Sequence, residues 1–158
     1  MIARAEIAII LHNIRSAYNV GSIFRTADAV GVIRMYLTGY TPTPRDRFER
    51  PQKEIAKTAL GAETHVPWEY AKNPTTIIKR LKKAEWHIVG VEQDTRAENY
   101  RLHKKVSRTV LVFGNEIRGL SLALRRDCDT LIEIPMHGKK ESLNVSVAAG
   151  IVLFSVRD

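Results

Sequence analysis

The C-terminal stretch restricts the fold more than any other part of the chain. Residues Ile134 to Phe154 read IPMHGKKESLNVSVAAGIVLF, and no charged side chain occurs between Leu143 and Val156. A helix lying on the surface of a single core shows a polar stripe along one side. This run has none, so Val147, Ala148, Ile151, Val152 and Phe154 need cover on more than one side. The residues ahead of it change character abruptly: a strand ends at Pro135, a basic turn follows at His137, Gly138, Lys139 and Lys140, and then come Ser142 and Asn144. A hydroxyl and an amide at that point can accept hydrogen bonds from the N–H groups that a helix leaves unpaired in its first turn. Two readings fit the stretch by itself: a capped core helix, or a ligand loop set against a buried element.

Upstream, short apolar runs alternate with helical periods. Ile7–Leu11 reads as a strand that delivers the chain into a polar loop, Asn13–Asn19. Val20, Ile23, Phe24, Ala27 and Val30 then recur at helical spacing, which predicts a helix over Val20–Val30 with Asn19 as its N-cap. Arg25 falls on the opposite side, one turn in, where the helix dipole disfavours a cation. It has either a task of its own or a solvent-facing position. Arg34–Gly39 predicts a second strand, and the loop Tyr40–Pro51 is made locally basic by Arg45, Arg47 and Arg50, with Lys53 just beyond. Further along, the pattern predicts a helix at Lys53–Ala59 ended by Gly61, a strand at Thr64–Val66, and a helix at Pro74–Glu85 started by Asn73. Strands follow at Trp86–Glu92 and Thr109–Phe113, then a helix at Leu120–Arg126 and a strand at Thr130–Ile134, while Gln93–Tyr100 reads as a polar connection. This alternation argues for an α/β fold on a largely parallel sheet. Periodicity alone gives an unknotted, doubly wound arrangement. With 158 residues, one domain over 1–158 is expected.

Charge points to the partner. Lys and Arg total 25 against 17 Asp and Glu, a formal charge of +8, which favours a polyanion such as nucleic acid over the alternative of a merely basic surface. Cys128 is the only cysteine, so neither an intrachain disulfide nor a cysteine zinc site can form, and a reduced, cytoplasmic setting is expected. Met1–Leu11, with Arg4 and Glu6 inside it, does not read as a signal peptide, and the apolar runs fall short of a membrane span. The five histidines are scattered without ligand spacing, so no metal is expected. The loop Gly114–Ser121 has the glycine spacing of a P-loop, but Leu120 stands where that loop needs lysine, which argues against a nucleotide triphosphatase. No GxGxxG follows a strand. Glycines at 114 and 119 still let the backbone approach a flat ligand closely.

Three stretches taken together resemble a known family. NIRSAYNVGSIFRTADAVG (Asn13–Gly31), FGNEIRGLS (Phe113–Ser121) and IPMHGKKESLNVSVAAGIVLF (Ile134–Phe154) are similar, in order and spacing, to the three motifs of the SpoU (TrmH-type) RNA ribose 2′-O-methyltransferases of the SPOUT superfamily. The resemblance spans nearly the whole chain. It implies a SPOUT-type α/β fold with a deep trefoil knot near the C-terminus, S-adenosyl-L-methionine as cofactor, tRNA or rRNA as substrate, and a homodimer. It implies catalytic positions at Asn19, Arg25, Glu116, Ser142 and Asn144, and cofactor-binding positions at Gly114, Asn115, Gly119, Ile134, Met136, Ser142, Leu143 and Asn144. Larger members carry an additional RNA-binding domain. The expectation here is a single methyltransferase domain without one, so that the basic surface of the core, or a partner, selects the RNA.

The chemistry this resemblance implies requires a ribose hydroxyl to be held in line with a sulfonium methyl group while its proton is removed. Arginine stays protonated in proteins, so Arg25 is expected to clamp a phosphate and stabilise developing alkoxide charge rather than act as base. The proton acceptor stays open. Two other readings compete. A non-catalytic RNA-binding module of the same fold is disfavoured by the presence of Arg25, Glu116, Ser142 and Asn144, and a small-molecule methyltransferase would leave the basic surface without a purpose.

Overall fold

The computed structural model describes residues 3–158; Met1 and Ile2, the start of the stretch that does not read as a signal peptide, lie outside the described residues. The strand β1 (Glu6–His12) shows how the sheet is built. Ile7, Ile9 and Leu11 point into one apolar cluster and Ala8 and Ile10 into another, all of them buried. An uninterrupted apolar run is what a strand covered on both faces requires. The same alternation recurs in β6 (Arg108–Phe113), where Leu111 and Phe113 join the first cluster and Val110 and Val112 the second.

Around these two strands lie β2 (Arg34–Thr38), β3 (Trp68–Ala71), β4 (His87–Val91), β5 (Glu98–Asn99) and β7 (Thr130–Glu133), in the order β3-β2-β1-β6-β4-β7-β5. Every pairing is parallel. The expected largely parallel α/β sheet is therefore present. Helices α1 (Ala17–Val30), α2 (Lys53–Ala59) and α5 (Val145–Arg157) pack on one face. Helices α3 (Pro74–Lys83) and α4 (Leu122–Asp127) cover the other. Because the strands run the same way, the loops after β1, β2, β4, β6 and β7 all emerge at one edge, the place where open α/β sheets hold their ligands.

Several boundaries differ from the sequence reading for identifiable reasons. Helix α1 starts earlier than expected, and its N-cap is Ser16, whose Oγ accepts from the Asn19 N–H at 3.2 Å. Asn19 is thus a first-turn residue with its side chain released for other contacts. Leu60, at φ 52°, takes the left-handed cap of α2, and Gly61 follows at φ 95°. The segment expected as a strand at Thr64–Val66 falls instead in a 3₁₀ turn (Ala62–Thr64) and the residues just after it; the strand begins beyond Pro67. The polar connection after β4 contains the two-residue strand β5, too short to leave a periodic signal.

Two contacts tie α1 to its neighbours. Arg157, at the end of α5, donates to the carbonyls of Val30, Gly31 and Ala5 at 3.0, 3.1 and 2.6 Å, which places a cation at the carboxyl end of α1. Gly21 lets α2 approach α1 without a side chain between them, since a Cβ there would collide with Thr58 Oγ1 and with the Ile55 carbonyl oxygen and lie 3.1 Å from Ala59 N. Backbone atoms cannot move aside. Gly21→Ala should therefore lower stability by about 1–3 kcal/mol through overpacking, despite alanine's better helix propensity. Urea denaturation checks this, and an unchanged or raised midpoint would contradict the close approach.

Candidate active site

The loop after β6 is organised by one buried amide. Asn115 Oδ1 accepts from the N–H groups of Ile117 and Arg118 at 2.9 and 2.8 Å, while Nδ2 donates to the Asn13 carbonyl at 3.0 Å and to Tyr40 Oη at 2.9 Å. The loop closes on itself at Gly114 and Gly119. A Cβ on Gly114 would come within 2.6 Å of the Gly119 carbonyl, and Gly119, at φ 64°, has no room for one against the Glu92 carboxylate. Glu92 Oε2 in turn accepts from the Leu120 N–H at 2.7 Å. The glycine spacing that mimics a P-loop thus serves loop closure.

From this loop Glu116 reaches the start of α1. Its carboxylate accepts from the backbone N–H groups of Arg15 and Ser16 at 3.0 and 3.1 Å and from Asn19 Nδ2 at 3.3 Å. Burial pushes the Glu116 carboxyl up, but the N–H groups of Arg15, of Glu116 itself and of Ser16, together with the Asn19 amide, outweigh it and hold the pKa below the ordinary glutamate value. An anion at a helix start also meets the positive end of the dipole. The carboxylate then fixes which way round the neighbouring amides sit. Because Asn19 donates through Nδ2, its Oδ1 is left to accept, and it does so from Asn144 Nδ2 at 3.2 Å. Asn144, the N-cap of α5, accepts at its own Oδ1 from the N–H and hydroxyl of Ser146 at 2.9 and 2.5 Å. Three segments distant in sequence are joined by one directed chain of hydrogen bonds.

Beside this chain is a pocket walled by Gly114, Asn115, Glu116, Gly119, Ile134, Met136, Ser142 and Leu143, with Val91, Glu92, Gln93 and Glu133 completing the rim. The charged residues of the wall, Glu92, Glu116 and Glu133, are all acidic, although the chain as a whole carries +8. From Pro135 to Leu143 no backbone N–H or C=O bonds to another backbone group among the described residues. Those groups are free to serve a ligand.

Residues 6–154 match the SpoU rRNA Methylase family. The chain belongs to that family. It is similar to the 23S rRNA (guanosine-2′-O-)-methyltransferase RlmB of Neisseria meningitidis, with 33% identity over 99% of this chain and 60% of the relative. Among solved structures it is similar to an AdoMet-bound rRNA methyltransferase from Sinorhizobium meliloti, with TM-score 0.86 and 31% identity over 98% of this chain and 57% of the other. It is also similar to the A. aeolicus TrmH/SpoU tRNA modifying enzyme, with TM-score 0.84 and 30% identity over 98% of this chain and 75% of the other. The chain spans 57 to 60% of the length of the first curated relatives it matches.

Within this SpoU-family chain the residues singled out from sequence fall into three places. Gly114, Asn115, Glu116, Gly119, Ile134, Met136, Ser142 and Leu143 are on the pocket wall. Asn19 and Asn144 form the hydrogen-bonded link beside it; Asn144 is not on the wall, because its amide is engaged by Asn19 and Ser146. Arg25 stands apart on the exposed side of α1, opposite Ile23, Phe24 and Ala27, and joins no ion pair among the described residues. Sequence reasoning missed Glu92, Gln93 and Glu133. Their signal was position: each ends or follows a parallel strand at the ligand edge.

Glu116→Gln keeps the shape of the side chain and removes the acceptor pair, turning an NH₂ toward an N–H. A depressed folded pKa means that the carboxylate's stabilisation is complete above the unfolded value and is lost as pH falls through the folded one. Wild-type stability should therefore decline in the acid range below ordinary glutamate titration, and the variant should be less stable at neutral pH with a weaker acid dependence. Urea midpoints across a pH series test this, and parallel curves for the two proteins would refute it.

Proposed function

We propose that this protein transfers a methyl group from S-adenosyl-L-methionine to a ribose 2′-hydroxyl of tRNA or rRNA. The observation that carries the reading is an acidic pocket in a basic protein. A ligand bearing a sulfonium and an ammonium is favoured by Glu92, Glu116 and Glu133, whereas a nucleotide polyphosphate would be repelled. The apolar wall at Ile134, Leu143 and Ala148 suits a flat adenine, and the unpaired backbone groups between Pro135 and Leu143 can meet its edge and the ribose. The residues present therefore fit the cofactor. Membership of the SpoU family and the names of the relatives support the same choice.

When bound, the cofactor supplies the electrophilic methyl group. The chain positions and stabilises. Glu116, by fixing Asn19 and Asn144, sets the start of α1 against the start of α5 and so shapes the rim over the pocket. Arg25 binds a phosphate next to the target ribose and offsets the negative charge that develops on the attacking 2′-oxygen as its proton is lost. Ser142, exposed on the wall with no side-chain hydrogen bond among the described residues, is positioned to contact the incoming nucleotide. Its role is polar orientation of the hydroxyl. Titration calorimetry in the presence of chelator should show binding of S-adenosylmethionine and of its demethylated product, and no binding at millimolar ligand would end the reading. Arg25→Ala should retain that affinity while slowing methyl transfer to RNA by about a hundredfold. Normal turnover by the variant would remove Arg25 from the mechanism.

The reading extends to assembly and threading. Helix α5 buries Val145, Ala149, Val152, Leu153 and Val156, yet Val147 and Phe154 remain 50% and 47% exposed, and Tyr18 on α1 is 48% exposed. One core covers one side only. A second copy pairing through α5 and α1 would cover the rest and bring Arg25 toward the seam. The deep trefoil knot is proposed from membership of the SpoU family, and the strand order, with β7 between β4 and β5, is consistent with it. A reduced, cytoplasmic setting accords with the single, unpaired Cys128. No described helix is long and apolar enough to cross a membrane. Light scattering across dilution should give twice the chain mass, and an active monomer at nanomolar concentration would exclude the dimer.

A further inference from the structure

The loop between β2 and α2 contains a feature that the pocket does not use. Phe48 is 61% exposed at its tip, with the guanidinium of Arg47 4.8 Å and that of Arg50 5.0 Å from the ring centroid. The tip is a built structure. Asp46 Oδ1 accepts from the N–H groups of Phe48 and Arg50 at 2.8 and 3.0 Å, and Oδ2 accepts from Arg50 Nε at 2.8 Å. Arg45 donates to the Glu49 carbonyl at 2.9 Å, and the strand-like bridge Arg45–Pro51 closes the base. What sets Phe48 apart from other exposed apolar side chains is this ordered tip with two guanidinium groups beside the ring, the pairing of π-face and cation that single-stranded nucleic acid meets.

We propose that Phe48 is a stacking platform for an unpaired nucleobase of the RNA substrate, with Arg47 and Arg50 engaging the adjoining phosphates; the proposal rests on the RNA reading of the site. The two arginines differ in freedom. Arg50 is tied to Asp46, whereas Arg47 forms no ion pair among the described residues, so Arg47 can leave the ring to a base and turn to the backbone. Stacking accepts any base, and arginine pairs well with both π-faces and phosphate. An apolar protein contact is less suited, because the exposed neighbours of Phe48 are Arg47, Glu49 and Arg50 rather than further apolar side chains.

Placement supports a role in the same reaction. The loop leaves β2 at the ligand edge of the sheet. Its first residues are rooted on the pocket's own framework: Tyr40 Oη accepts from Asn115 at 2.9 Å, Tyr40 N–H donates to Asn13 Oδ1 at 3.1 Å, and Thr41 Oγ1 accepts from the Ile14 N–H at 3.1 Å. It ends in α2, packed at Gly21 against the helix that carries Asn19 and Arg25. RNA anchored at the tip is thereby coupled to both elements of the site.

The test uses the full chain, a fluorescently labelled single-stranded oligouridylate and the matching fully paired RNA duplex. Phe48→Ala and Phe48→Leu should each weaken single-strand binding about tenfold, Phe48→Trp should retain it, and none should alter duplex binding or S-adenosylmethionine affinity. The leucine variant separates the π-face from apolar bulk, and the cofactor titration reports that the fold is intact. Wild-type affinity in all three variants would overturn the inference while leaving the RNA reading standing, and would point to an apolar protein contact. Equal loss on single strand and duplex would overturn stacking and assign the effect to disruption of the tip that holds Arg47 and Arg50. If wild type bound neither RNA, the RNA reading itself would fail and the platform with it.

Discussion

The carboxylate of Glu116 decides the geometry of three segments that the chain brings together from far apart. It holds the residues just ahead of α1 through the backbone N–H groups of Arg15 and Ser16 and orients the Asn19 amide, and Asn19 in turn orients Asn144 at the start of α5. The order is forced, because an acceptor-only group at one end leaves each successive amide a single way round. Glu116 can do this only because Asn115 holds the loop from below and the glycines at 114 and 119 let it close. The start of α1, the loop after β6 and the start of α5 therefore form one unit. Partial burial would ordinarily raise a carboxyl pKa, and here the hydrogen bonds outweigh it.

Charge is distributed with a similar division of labour. The chain is strongly basic, yet the charged residues of the pocket wall are acidic. For the proposed reaction this separates two ligands of opposite sign: a cationic methyl donor inside, and a polyanionic RNA outside. Methyl transfer removes the sulfonium charge, so the attraction that draws the donor in weakens for the product. Arg25 and the tip at Phe48 belong to the outer, cation-bearing surface, on elements that reach the pocket through Asn13, Asn19 and Tyr40.

The parallel sheet makes this arrangement possible. Loops after five strands converge on one edge, and both faces of the sheet are sealed by helices, which is why β1 and β6 are apolar at consecutive positions. Helix α5 is the exception to this closure. Its uncharged sequence is matched by burial on one side only, leaving Val147 and Phe154 outward. Among the described residues of one chain nothing covers them, and the proposed pairing of two copies would do so.

Much of this was readable from the residues. Apolar runs at period two and at helical period located β1, α1, β2, α3, β4, β6 and β7, because burial on two faces or on one stripe leaves that imprint directly. The resemblance of three motifs to the SpoU enzymes pointed to the residues that line or frame the pocket. What periodicity could not supply were features set by contacts across the chain. Ser16, not Asn19, caps α1, because Asn19 is claimed by Glu116 and Asn144 from segments roughly a hundred residues away. Glu92 and Glu133 belong to the wall by virtue of where β4 and β7 end, and β5 is too short to show a pattern. The sequence by itself determined which segments are strands and helices and which residue types were available for chemistry, since these depend on local periodicity and composition. Only the tertiary structure decided which acceptor each amide meets and which loops share an edge, because both arise from strand order, a long-range property with no local signature.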